Sequence, residues 1–272
     1  MDITVVNINT NNHKWSFEMP NWANQFPLVM GDTYRHGGVS KKPCESLNLA
    51  THIGDSLQDV LDNRSIVANH LGVSPKRITC GNQVHGLNAV RITEDLIGAG
   101  AMSSNTAIPD CDAVYTDIPN VPLFLFTADC VPVGIYDPVH HVVATVHAGW
   151  RGTVGKIVCK TIQKMQEHYN SFPQDLKAII GPSISKEAFE VGDEVYDAFA
   201  TAGFTMSEIA ERREKWHIDL WAANFKLLVA TGVKMENISV ANICTYNHYD
   251  TFFSARRLGI NSGRIYTGIL LK

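Results

Sequence analysis

The chain has 272 residues, is 45% hydrophobic and 18% charged, and carries a formal net charge of −4 with acidic and basic residues interspersed. This composition supplies a full hydrophobic core and suits one large domain or two small ones. It excludes a disordered chain, a repeat array and a general nucleic-acid binder, which would show a basic stripe. Small anionic ligands need only a local cluster. The opening "MDITVVNINTNNHKW" lacks the basic and apolar regions of a signal peptide, and no apolar run reaches transmembrane length, so the chain reads as cytoplasmic. Six cysteines at 44, 80, 111, 130, 159 and 244 form no CxxC pair; in a reducing compartment they are free thiols or metal ligands.

In chain order, "ITVVNI" (3–8) and "FPLVMG" (26–31) predict strands. A helix follows over 57–71, with Ser56 and Asp59 at the spacing of a capping box. "RITCGNQV" (77–84) and "NAVRIT" (88–93) flank a turn at His85-Gly86. The stretch 98–110, "GAGAMSSNTAIPD", predicts a long polar loop of the kind that often borders a site. Strands at 112–117, 121–127, 131–137 and 141–147 follow so closely that hairpin connections and antiparallel pairing are expected. A helix over 153–169 places Val154, Ile157, Val158, Ile162 and Met165 on one face. Strands at 176–181 and 237–244 enclose helices near 187–200 and over 219–231, the last between Asp219 as N-cap and Gly232. Strands interleaved with a few helices predict a single α+β domain over 1–272, with a mixed, largely antiparallel β-sandwich flanked by helices.

Two apolar runs end in metal-ligand chemistry. "VPLFLFTADC" ends in Asp129 and Cys130, and "HHVVATVHAGW" carries His147 near its end. His85 in "GNQVHG" is a third candidate. Zinc takes N and S donors in a tetrahedron, and three protein ligands leave a fourth position open, as in catalytic sites. The same atoms permit another chemistry, with Cys130 as thiolate nucleophile and His147 or His85 as its base. Cys130 also suits a small hydrophobe at a strand end, and His85 a hydrogen-bonded turn residue. Spacing alone does not separate these readings.

"HAGWRGTVGK" is a strand–turn–helix junction in which Gly149 and Gly152 permit the tight turn. Arg151 beside a helix N-terminus is a candidate phosphate contact, or a solvated arginine. The stretch is not a Walker A loop, because Gly149 and Gly155 are one residue too far apart and Ile157 stands where Ser or Thr would hold magnesium. Further polar clusters offer Arg35 and His36, Asn48 and His52, and Arg256, Arg257 and Arg264; the arginines could close over an anionic or ribose-bearing substrate.

Taken in order, "RHGGVS…SLNLATHIGD", "NQVHG", "CDAVYTD", "TADCVPV", "VHAGWRGTVGK", "IGPSI…FEVGDEV", "DLWAANFKLLVATGV" and "FFSARR…SGR" resemble the YfiH/YlmD-like family, also called the polyphenol oxidase or laccase-domain family. The likeness runs from about residue 30 to the C-terminus, and "TADC" with "HAGWRG" at this distance is highly specific; residues 1–25 match nothing specific. The resemblance implies an α+β sandwich, similar in its core to some cysteine-dependent toxin deamidases. It implies zinc held by His85, Cys130 and His147. It also implies purine-nucleoside chemistry: phosphorolysis of adenosine, inosine and methylthioadenosine to free base and a ribose 1-phosphate, with deamination of adenosine. The chain departs from the family at Leu258, where an acidic residue often follows the paired arginines, and at Ser262, where threonine is usual.

Deamination at C6 needs a carboxylate to shuttle a proton, for which Asp129 and Asp112 are the candidates alongside Cys130. Asp129 would brace the structure instead if Cys130 faces the metal, since strand neighbours point to opposite faces. Phosphorolysis needs cationic and backbone donors for phosphate, and Arg151, Arg35, Asn48 and Arg256 are the candidates for substrate and phosphate. The alternatives are a copper-dependent oxidase, a Cys-dependent hydrolase, and a metal-stabilised scaffold whose fourth ligand comes from Cys111 or His36. A multicopper oxidase would show HxH pairs, and the 11 histidines here contain none.

Overall fold

The computed structural model describes the backbone of residues 3–10 and 13–272, and side chains from residue 22 onward. Two sheets face one another. A six-stranded sheet runs in the order Ile238–Val240, Lys177–Ile180, Val131–Asp137, Val142–Ala148, Ala113–Thr116, Ala89–Arg91. A four-stranded sheet runs in the order Leu28–Asp32, Ile265–Leu271, Leu123–Thr127, Thr79–Cys80. A hairpin of Ile3–Thr10 with His13–Pro20 and a small sheet of Glu190–Val191, Trp216–Ile218 and Ala210–Arg212 complete the β structure.

The central strands of the large sheet, Val131–Asp137 and Val142–Ala148, are buried along their whole length and are correspondingly mostly apolar. Tyr136 and Val143 point into the core shared with Met30, Leu123 and Ile269 of the smaller sheet. Ile135, Val142, Ala144 and Val146 point the other way, under the helices Ile157–Tyr169 and Leu220–Thr231. Alternation along a strand therefore builds a sandwich on one side and a helical layer on the other. The helix Leu57–Leu71 closes the far side of the smaller sheet through Val67, Ala68 and Leu71.

The expected mixed α+β sandwich is what forms, with antiparallel pairs predominating and parallel pairs at Ile180–Val240, Cys80–Phe124 and Val90–Val114. Three expectations need correction. The chain does not run through hairpins from 112 to 147: Leu123–Thr127 leaves for the smaller sheet, and only Val131–Asp137 and Val142–Ala148 form a hairpin. The helix expected over 153–169 is two helices, Trp150–Val154 and Ile157–Tyr169, because Lys156 adopts φ 60° and ends the first. The C-terminal strand Ile265–Leu271, which has no counterpart in the expectation, is central to the smaller sheet.

Candidate metal centre and its two clefts

Cys130 lies at the corner where the chain crosses from Leu123–Thr127 in one sheet to Val131–Asp137 in the other. The corner is turned by Asp129 at φ 86°. His147 is the penultimate residue of the neighbouring strand, opposite Pro132. Its alternation puts it on the face of Val143, toward the smaller sheet. His85 comes from the 82–88 loop between the two sheets and also holds a left-handed conformation, φ 59°. One ligand atom from each of His85, Cys130 and His147 lies within 4.8 Å of the others. Cys130 Sγ is 3.8 Å from His85 Nε2, and the two imidazoles meet edge to face with centroids 4.8 Å apart.

Asp112 organises this trio from behind. Its Oδ1 lies 2.8 Å from His147 Nδ1 and accepts the amide of His85 at 3.0 Å. Its Oδ2 accepts the amides of Val84 at 3.1 Å and Gly86 at 2.8 Å. One buried carboxylate thus fixes the His147 ring and holds the left-handed turn that presents His85. Burial alone would raise its pKa, but the bond to His147 and those amides hold it below the usual carboxylate range. Burial likewise opposes ionisation of Cys130, yet His147 and then His85 outweigh it and lower the thiol pKa. Burial disfavours a charged His147, and the facing Cys130 and Asp112 reverse that effect. Gly149 is required by close approach: a Cβ there would sit 3.0 Å from Cys130 Sγ and 3.2 Å from His85 Cδ2.

The donor set fits a zinc-type ion. With His147 Nδ1 engaged by Asp112, Nε2 is the nitrogen left to coordinate. A tetrahedral ion with bonds of ~2.0–2.3 Å sets its donors roughly 3.3–3.8 Å apart, close to the Cys130–His85 separation. Among the described residues the cluster comprises these three. Cys111 donates to Ala113 O at 3.1 Å, with its thiol pushed up to about 12 chiefly by burial, and exposed His36 bonds Asp250 O; neither supplies a fourth ligand.

Two clefts meet at Cys130. The larger, about 620 Å³, is lined by all three cluster residues and by His52, Gln83, Thr127, Asn261 and Arg264 among others. The second, about 360 Å³, is mostly apolar, with Trp150, Ile184, Phe189 and Leu220 in its wall. Ala128, Ala255 and Ile260 border both.

The remaining candidates are distributed around this centre. Asp129 lines the apolar cleft, but both its oxygens are engaged: Oδ1 accepts from Thr245 Oγ1 and Oδ2 from the Arg256 amide, each at 2.7 Å. Arg256 borders that cleft, with Nη1 on Glu190 O at 3.1 Å. Asn48 is buried outside both clefts and accepts the Arg264 amide at 3.0 Å. Arg35 is bound to Glu45 O and Tyr249 O and borders neither cleft. Arg151 is exposed, stacked on Trp150 at 4.2 Å, and also outside both. The 98–110 loop, expected near a site, lines neither; it packs on Cys80 and Arg64. Gln83 and Thr127 escaped notice in the sequence because nothing local marks them. Gln83 imitates a strand partner, exchanging two 2.9 Å bonds with the backbone of Phe126.

Residues 29–272 match the family described as "Multi-copper polyphenol oxidoreductase laccase". A "Purine nucleoside phosphorylase" of Bacteroides thetaiotaomicron is 42% identical over 242 residues, 88% of this chain and 90% of that protein. "Adenosine deaminase RL5", from an unknown prokaryotic organism, is 40% identical over 83% of this chain and 87% of that protein. The crystal structure of YlmD from Geobacillus stearothermophilus superposes with a TM-score of 0.91 at 34% identity, covering 99% of this chain and 100% of that one.

Proposed function

The chain belongs to the multi-copper polyphenol oxidoreductase laccase family, the YfiH/YlmD-like group, and on that footing we propose that it is a zinc-dependent purine nucleoside enzyme. Its reactions are phosphorolysis of adenosine, inosine and methylthioadenosine to free base and the corresponding ribose 1-phosphate, and deamination of adenosine. One observation carries this reading: the His85–Cys130–His147 cluster lines a larger cleft that carries several polar side chains, and at Cys130 this cleft meets a smaller, more apolar one. That arrangement suits a ligand with a flat, weakly polar base at one end and a hydroxyl-rich sugar at the other. Relatives bearing phosphorylase and deaminase names support the substrate class.

Zinc held by His85, Cys130 and His147 would supply Lewis acidity where the clefts meet. Asp112 orients His147 and, through three amides, the turn carrying His85. Trp150 and Phe189 offer the base aromatic surface and exclude water from one side. Asp112 and Asp129, with all four oxygens committed, act as positioning groups in this account rather than proton shuttles. The chemistry is cytoplasmic, with neither nucleic acid nor membrane as partner. The copper-oxidase alternative is disfavoured by the lack of any HxH pair and by a single ligand cluster among the described residues.

Chromatography of products from inosine and adenosine, with and without phosphate, tests the proposal. Phosphate-dependent release of hypoxanthine or adenine, or phosphate-independent inosine from adenosine, is expected. A folded, zinc-loaded protein that converts neither nucleoside would overturn it.

A further inference from the structure

Arg264 lines the larger cleft together with the metal cluster, at the entry to the strand Ile265–Leu271. Its main chain is fixed on both sides of the residue: its amide donates to Asn48 Oδ1, and its carbonyl accepts from Leu49 N at 3.4 Å. Its guanidinium is half-wrapped by its own loop. Nη1 donates to Ser262 O and to Gly263 O at 3.1 Å, and Nη2 donates to Ile260 O at 2.8 Å. Of five N–H groups, Nε–H and one Nη2–H have no partner among the described residues.

No carboxylate pairs with it there. The acidic groups whose charge reaches Arg264 most strongly are Cys130 first and then Asp129; Cys130 belongs to the metal cluster, and Asp129 has both oxygens taken by Thr245 and the Arg256 amide. Carbonyl dipoles position a guanidinium but do not neutralise it, so a half-buried cation in a cleft is left for an anion to balance. A second observation points the same way. Thr127, 1% exposed, lines this cleft with a buried Oγ1 that has no hydrogen-bond partner. Asn261 and His52 add neutral polar groups to the same wall.

We propose that Arg264, with Thr127 and Asn261, forms an oxyanion subsite that takes inorganic phosphate as the attacking co-substrate. This rests on the nucleoside reading above and extends it: the base occupies the smaller, apolar cleft, and phosphate enters from the larger one. The conformation of Arg264 is set by loop carbonyls before any ligand arrives, so the subsite is preorganised. Asn48 acts through Arg264 as a positioning residue.

The test is phosphate saturation kinetics with inosine for the wild type, R264Q and R264K, with melting curves to establish folding. Loss of two charge-assisted bonds raises the phosphate KM roughly tenfold or more in R264Q. The inosine KM moves far less. R264K, which keeps a charge without the planar fork, falls between. A phosphate KM unchanged in folded R264Q, or phosphate and inosine KM values rising together, overturns the subsite while leaving the nucleoside reading intact. If the wild type turns over no nucleoside, that reading fails, and calorimetric titration with inorganic phosphate decides the subsite separately: R264Q must lose binding that C130A retains. Titration with adenosine 5′-monophosphate forms the other arm. An R264Q defect seen for the nucleotide and not for free phosphate assigns Arg264 to a substrate phosphate and overturns the co-substrate role.

Discussion

His147 Nδ1 lies 2.8 Å from Asp112 Oδ1, and the same carboxylate gathers the amides of Val84, His85 and Gly86. Two ligands from separate parts of the chain are thereby set by one buried side chain. D112N keeps the shape but gives up two-sided acceptance, since one oxygen becomes an NH2 donor facing amides. Zinc affinity is expected to fall ~10–100-fold, with the fold retained. Competition with a chromophoric chelator measures it. Unchanged affinity would show that Asp112 does not orient the ligands.

Gly149 predicts a second effect on the centre. A methyl group there meets Cys130 Sγ at 3.0 Å and His85 Cδ2 at 3.2 Å. G149A should push both ligands aside at an overpacking cost of about 1–3 kcal/mol. Reduced zinc per chain with only a modest drop in melting temperature is expected. Full zinc occupancy in G149A would mean that the ligands give way without losing their geometry.

Asp129 separates bracing from catalysis. Its carboxylate ties the inter-sheet corner to Thr245 and to the start of the helix Ala255–Leu258. D129A leaves a buried hydroxyl and a partly buried amide without their acceptor, a loss of about 1–3 kcal/mol visible in thermal or denaturant unfolding. Zinc content should be preserved. Turnover abolished with stability untouched would instead make Asp129 the proton-transfer group.

Acid sensitivity is expected at the tip of the Val131–Asp137 and Val142–Ala148 hairpin. Asp137, fully buried, accepts the amides of Val139 at 2.8 Å and His140 at 3.1 Å, and lies 2.9 Å from His140 Nδ1. Burial raises its pKa, but the nearby Ser171 hydroxyl, His140 and these amides outweigh it, so the folded pKa is depressed. A depressed carboxylate contributes stability that is complete above its unfolded value near 3.9 and is lost as pH falls through the lower folded value. Wild type should therefore exceed D137N by about 1–3 kcal/mol at pH 7, the gap closing below pH ~4. A gap that is constant down to pH 2 would contradict this.

Much of this arrangement was legible in the sequence because local chemistry marks it. Ser56 caps Leu57–Leu71 by accepting from Asp59 N, and Asp219 caps Leu220–Thr231 by accepting from Ala222 N at 2.8 Å. Cys130 and His147 stand out as polar endings of apolar runs. The sheet assignments were not legible. Leu123–Thr127 and Val131–Asp137 have the same apolar character, and only the turn at Asp129 sends them to different sheets. The same crossing carries Cys130 to the site. Arg264 and Arg35 look alike as arginines near glycines; long-range backbone contacts place one in the cleft and occupy the other with carbonyls.

The central claim is that nucleoside chemistry depends on a metal held by His85, Cys130 and His147. It is tested most directly by measuring zinc content and inosine phosphorolysis on the same preparations of wild type, H85A, C130A and H147A. Near-stoichiometric zinc with turnover in the wild type, and loss of both together in the folded variants, is the expected result. Turnover that persists in a folded, zinc-free C130A protein would contradict it.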